Sequence, residues 1–447
     1  MLTNLSGRWI AILMLFTVAF TSCDDDEDRP TVPVIGTITD IAAGDDQFST
    51  LVSALERTGL DATLDIFTGR FTVFAPTNAA FAASGINLDD LSDDDLRNVL
   101  LYHVISGSIV RSADIADGET VVGSANTTGP GSTALPLFVE RSGGSITVND
   151  ATVTSADIEG VNGVIHVIDA VLLPPSIVDR AVRDGRFTTL VTALQRTGLD
   201  ATLAAAGNFT VFAPTDDAFA DAGINLDDLS DDALTEVLLY HVLGAAVPAG
   251  DIADGQSYAA SLNTNGPNES ALSVGLKKNA DGVFVNGETQ VVVADVVASN
   301  GVIHAVNQVL SPQSIVEFTV ANENLSSLTN ALTGANLVGA LSGTDPLTVF
   351  APDNDAFEAI ADVVADLSPE QLTQVLTYHV VAGNVRAENI SPGSVPTLNT
   401  DANITLSLDD GAQIIDAAGN IVNIVATDIQ GTNGVIHLIE AVLIPFE

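Results

Sequence analysis

Cysteine occurs once in 447 residues, at Cys23, so no disulfide can form within the chain and its stability must come from packing. Basic side chains are scarce: 14 Lys and Arg stand against 58 Asp and Glu, a formal net charge of −44. A surface of that sign repels phosphate polymers, which excludes nucleic acid as a partner. It attracts cations and suits a saline medium, where screening relieves self-repulsion. The acidity does not signal disorder, because only 16% of residues are charged while 46% are hydrophobic. Histidine is also rare: there are six, and all six fall in two repeated motifs, so none is left over for a site unique to one part of the chain.

Apolar runs long enough to cross a bilayer are lacking at the start of the chain. Trp9–Phe20, preceded by Arg8, is too short to span comfortably and reads as a secretion signal. Its end, Phe20-Thr21-Ser22-Cys23, resembles a bacterial lipoprotein signal in which Cys23 becomes the lipidated first residue of the mature chain. The acidic run Asp24–Asp28 reads as a solvated tether, and resembles the patch that marks surface-displayed bacterial lipoproteins. The expected location is therefore the outer membrane or cell surface, with the periplasm or the medium as the alternative.

What the sequence does have is repetition. Asn-Gly-Val-Ile-His stands at 162–166, 300–304 and 433–437, each time followed by an apolar run toward Pro174, Pro312 or Pro445. One domain is thus written three times, and function belongs to the repeated unit. The expected division is a signal peptide at 1–22, a tether at 23–36, and domains at 37–174, 175–312 and 313–447.

Within a repeat, Phe48, Leu51, Val52 and Leu55 share a helical face, as do Phe187, Leu190, Val191 and Leu194. Gly59 and Gly198 suit the helix end. Phe71–Phe74 is β-rich and Ala75-Pro76 ends it, with copies at 209–214 and 347–352. An amphipathic helix follows, with Ser92 and Asp95, and Ser368 and Gln371, as capping boxes, while Ala233 leaves only half a box after Ser230. It ends in Tyr102-His103, Tyr240-His241 and Tyr378-His379. The second half turns to hairpins, and in the last strand Val164, His166 and Ile168 point one way and Ile165 and Val167 the other. Helices with one early strand, then a run of strands, predict an α+β fold with a mainly antiparallel, sandwich-like sheet and helices at one end.

The Thr-Val-Phe-Ala-Pro block, the Tyr-His pair and the Asn-Gly-Val-Ile-His block, in that order and three times over, resemble the fasciclin domain. The resemblance implies a β-sandwich or wedge with helices packed at one end, and a part in cell adhesion and matrix contact. In animal members the Tyr-His region and an Asp-Ile dipeptide are tied to integrin binding. The matching positions are Asp157-Ile158 and Asp428-Ile429, with Asp295-Val296 departing in the second repeat. The plainer reading makes these residues, together with His166, His304 and His437, structural.

Catalytic signatures are missing. Ser106 and Ser108 lie near His103, but the second repeat has Gly244 and the third Ala382-Gly383, so no nucleophile is repeated. There is no G-x-S-x-G elbow, no phosphate loop and no H-E-x-x-H, so no enzyme, cofactor or metal is expected. Asp89-Asp90 with Asp93–Asp95, and Asp227-Asp228 with Asp231-Asp232, flank Ser92 and Ser230 and read as helix caps rather than a calcium loop. The sequence reading is a lipid-anchored, non-enzymatic adhesion or scaffolding protein for matrix, glycan or cell-surface protein partners. The alternative is a surface or periplasmic binding protein for a small ligand or polysaccharide.

Overall fold

The computed structural model describes residues 36–408 and 411–446. The signal, Cys23 and the acidic run lie outside the described residues. Each repeat forms one seven-stranded sheet with helices against it, and strand order is the same in all three.

In the first domain the helices are α1 (Ile38–Ala43), α2 (Ser49–Thr58), α3 (Leu60–Leu64), α4 (Asn78–Ser84) and α5 (Asp93–Tyr102). The strands are β1 (Phe71–Pro76), β2 (Val104–Ser106), β3 (Gly118–Gly123), β4 (Pro136–Ser142), β5 (Ser145–Val148), β6 (Ala151–Gly160) and β7 (Gly163–Ile168). Their spatial order is β2-β1-β7-β6-β5-β4-β3. All pairs are antiparallel except β1 with β7, which run parallel from Phe71 beside Gly163 to Pro76 beside Ile168. The mainly antiparallel sheet read from the sequence thus contains one parallel pair per domain. It joins the two most conspicuous repeated strands, and every residue of both is buried, as central strands covered on both faces require.

Local chemistry sets the element ends. Thr37 caps α1 in a full capping box with Asp40. Gly59 takes φ 66° at the end of α2, where a residue with a Cβ would be strained. Ser368 and Gln371 make the expected box on the third-domain helix Pro369–Tyr378. At α5 Ser92 accepts from the Asp95 amide and its hydroxyl donates to the Asp95 carboxylate.

Alternation along β1 and β7 divides each domain into two cores. Phe71, Val73, Ala75, Ile165 and Val167 face α1, α2 and α5, packing on Phe48, Leu51, Leu55, Leu96 and Leu100. Phe74 and Ile168 face the other way, into a core with Leu135, Leu137, Val139, Ile146 and Val148 from the β4–β5 hairpin. Burying a side chain of this size contributes about 1.5–3 kcal/mol, so both cores are substantial.

The domains also touch one another. Val297 of the second domain packs into the hairpin core of the first. Arg180 and Arg183, on the second domain's first helix Ile177–Asp184, each place a guanidinium 4.5 Å from the ring centre of Phe138. Arg183 also pairs with Glu119 at 2.9 Å. At the next junction Tyr258 meets Phe318 edge-on at 5.8 Å and accepts a hydrogen bond from Asn322. The position held by Val297 is Gln430 in the third domain, where its backbone nitrogen donates to Ser273 of the second. In the first domain it is Glu159, exposed and paired with Arg111.

Candidate functional site

The repeated motifs converge around β1, β7 and the end of α5. His103 is the residue that closes α5 and is 2% exposed. Its Nε2 accepts from the backbone nitrogen of Leu172 at 2.9 Å, so that nitrogen carries no proton. Nδ1 therefore carries it and donates to the carbonyl of Val99 at 2.8 Å. His241 repeats this with Leu310 and Val237, and His379 with Leu443 and Val375. Burial pushes all three imidazoles down to about 4, so they are neutral at physiological pH.

The second histidine of each repeat stands on the last strand of its sheet. His166 stacks on Phe74 with ring centres 5.6 Å apart. Its Nδ1 accepts from the Asp157 amide at 3.4 Å and its Nε2 donates to the Val110 carbonyl at 2.9 Å. His304 and His437 sit identically on Phe212 and Phe350, and desolvation lowers the pKa of both. All six imidazoles thus have both nitrogens engaged by backbone.

The tyrosines are turned inward as well. The Tyr102 hydroxyl donates to Pro136 O at 2.6 Å, Tyr240 to Ser273 O at 2.8 Å and Tyr378 to Asn403 O at 2.9 Å, tying each helix end to the hairpin sheet. Burial pushes the Tyr240 phenol up to about 12. Asp157, Asp295 and Asp428 have φ 61°, 58° and 62° and sit at irregularities where the sixth strand of each sheet loses register with the seventh. Their carboxylates accept from the backbone of Ser112, Ala249 and Ala387, which fixes the turn after the short second strand. Ile158 packs against the helix-side core and Ile429 is 2% exposed.

The asparagine that opens the repeated Asn-Gly-Val-Ile-His block has a role that the sequence alone did not reveal. Asn162 is 1% exposed. Its Oδ1 accepts from Ile38 N and its Nδ2 donates to Leu64 O, so one side chain joins the start of α1, the end of α3 and β7. Asn300 and Asn433 do the same. At Gly163 a Cβ would come within 2.4 Å of Phe71 O, which is why glycine follows the asparagine.

Ser106 and Ser108 are exposed, while both nitrogens of His103 are already bonded to backbone, so His103 is not placed as a base for either hydroxyl. Among the described residues no three His, Cys, Asp or Glu side chains are grouped closely enough to hold a metal ion. Asp93 and Asp231 accept from Arg57 and Arg196, whose other nitrogens donate to Leu88 O and Leu91 O, or Leu226 O and Leu229 O. These two arginines organise the aspartate-rich turns, a role that no sequence pattern announced. Among the described residues no helix is long and apolar enough to cross a membrane.

Comparison with known proteins gives the fasciclin domain model three matches, over residues 46–174, 185–312 and 323–445. Human periostin is 28% identical over 94% of this chain and 48% of its own length. The rabbit transforming growth factor-beta-induced protein ig-h3 is 31% identical over 74% of this chain and 47% of its own. The chain therefore spans about half the length of these two relatives. The Synechocystis protein sll1483 is 40% identical over 30% of this chain and 75% of its own length. The chain belongs to the fasciclin domain family, as three tandem copies.

Proposed function

We propose that the chain is an exported, non-enzymatic adhesion or scaffolding protein, held at a membrane by lipid on Cys23, that grips cell-surface or matrix protein or polysaccharide through several weak contacts at once. The observation that carries this reading is that the repeated tyrosines and histidines are directed inward and fully bonded, in all three domains. What remains for a partner is the outer surface, presented three times on one chain. Linked sites of modest affinity gain through effective concentration what each lacks alone. The Tyr-His and Asp-Ile residues serve in this reading as internal struts rather than contact residues.

Adhesion of beads coated with the full chain to surfaces bearing matrix proteins or glycans tests the reading. Detachment force should fall steeply when residues 313–447 are removed, and equal adhesion by the shorter chain would refute multivalency. Cys23→Ser should move the protein from the membrane fraction to the soluble fraction. Its retention in the membrane would refute the lipid anchor.

A further inference from the structure

Residues 309–313 lead from the last strand of the second domain to the first helix of the third, Ile315–Ala321, and a cleft opens on each flank. One is apolar. Phe219, Ile224, Leu229, Leu234 and Val237 line it with Val309, enclosing about 390 Å³ beside the rim residue Asp228. The other lies at the junction of the two domains and encloses about 510 Å³. It contains Lys277, Glu288, Gln313, Glu317, Val320 and Glu323. Val309 and Ser311 line both clefts, so the two are opposite sides of one ridge.

The junction cleft has an unmet requirement. Gln313 Oε1 is buried there with no hydrogen-bond partner, although its Nε2 donates to Asn286 O at 3.2 Å. A buried acceptor calls for an N–H or O–H donor. Lys277 cannot supply a free charge, because it pairs with Glu323 at 2.6 Å. Glu288 and Glu317 leave the cleft net negative, and Val320, 64% exposed, forms an apolar wall. An acceptor, negative charge and an aliphatic wall together match an arginine or lysine side chain, stem on Val320 and N–H on Gln313.

We propose that the ridge 309–313 is a docking site for a protein segment that carries an apolar side chain beside a basic one. The apolar residue enters the cleft behind Ile224 and its basic neighbour enters the junction cleft. The inference rests on the adhesion reading and deepens it by giving the partner's chemistry. Charge complementarity selects this occupant: neutral sugars satisfy neither the apolar cleft nor the charge, and acidic polysaccharides are repelled by a chain of net charge −44.

The test uses the full chain and a fluorescent, end-capped nonapeptide with one phenylalanine between two arginines in a glycine–serine background, titrated by fluorescence anisotropy at low salt. Binding should saturate, and it should weaken about tenfold when the phenylalanine is replaced by serine or the arginines by glutamate. Ile224→Ser should cost a similar factor, and exposed Glu288→Lys should weaken binding and flatten its salt dependence. Thermal melts establish that each variant is folded, and Glu288→Lys decides the matter if Ile224→Ser melts early. No binding, equal binding of all three peptides, or folded variants that bind like the parent would overturn the proposal. Bead adhesion run in parallel separates the two ideas. A parent chain that adheres but fails to bind the peptide sinks the docking site alone, whereas peptide binding without adhesion to any surface sinks the adhesion reading alone.

Discussion

The Nε2 of His103 lies 2.9 Å from the backbone nitrogen of Leu172, a partner 69 positions along the chain. That single bond fixes the imidazole as an acceptor, and a protonated ring could not make it. The pKa is depressed from 6.5 to about 4 in the folded state for His103, His241 and His379 alike. Between those values the unfolded chain binds more protons than the folded one. Stability should therefore be complete above pH 6.5 and be lost as pH falls toward 4, by on the order of 3 kcal/mol per histidine. The upper half of this window precedes most carboxylate titration, so a drop in urea midpoint between pH 6.5 and 5 isolates the histidine contribution. An unchanged midpoint there would contradict the geometry.

Replacing the ring should be costly in the same place. His241→Ala leaves the Leu310 amide buried without an acceptor and opens a void beside the hairpin core. The expected loss is about 3 kcal/mol, combining an unpaired donor with lost packing. Urea unfolding followed by circular dichroism measures it, and a loss under about 1 kcal/mol would place the variant among ordinary surface changes.

Salt should stabilise this protein. With 58 acids against 14 bases, self-repulsion acts on the folded state. The ion pairs that salt would weaken, such as Arg57–Asp93 and Arg196–Asp231, are largely exposed and contribute little. Calorimetry at increasing sodium chloride should show a rising Tm, with most of the gain complete once the screening length drops below about 10 Å, near 0.1 M. A falling Tm would mean that attractive pairs outweigh the net charge.

The first junction should come apart through one side chain. Val297 packs into the hairpin core of the preceding domain. Val297→Glu puts a carboxylate where an aliphatic side chain meets that core, and the cost of desolvating it favours separation of the two bodies. Small-angle scattering should report a larger radius of gyration, and calorimetry should split one transition into two, while the fold of each domain persists. Phe138→Ala should act in the same direction, because it removes the ring under Arg180 and Arg183.

Much of each domain was legible beforehand. Alternation in Val164–Ile168 placed His166 and Ile165 on opposite faces of a strand, and the two cores confirm that division. The α+β class followed from the order of elements. The parallel pairing of β1 with β7 was not legible, because periodicity gives the faces of a strand and not its neighbour. The role of Asn162 was not legible either, since nothing local tells a turn asparagine from one that bonds Ile38 and Leu64. The junction contacts of Phe138, Arg183, Tyr258 and Phe318 were hidden for a further reason. They differ from copy to copy, so the repetition that exposed everything else gave no hint of them.

One position differs with a logic of its own: Glu159, Val297 and Gln430 occupy the same place in the first, second and third copies. The charged residue meets water and the aliphatic one meets a core, while the third meets a serine through its backbone nitrogen and turns its side-chain amide into its own domain. The three copies are therefore not interchangeable beads. A chain shuffled to run second, first, third would strand a valine in solvent and press a carboxylate into a hydrophobic pocket, so the serial order of the first two modules is itself encoded in a single side chain of each.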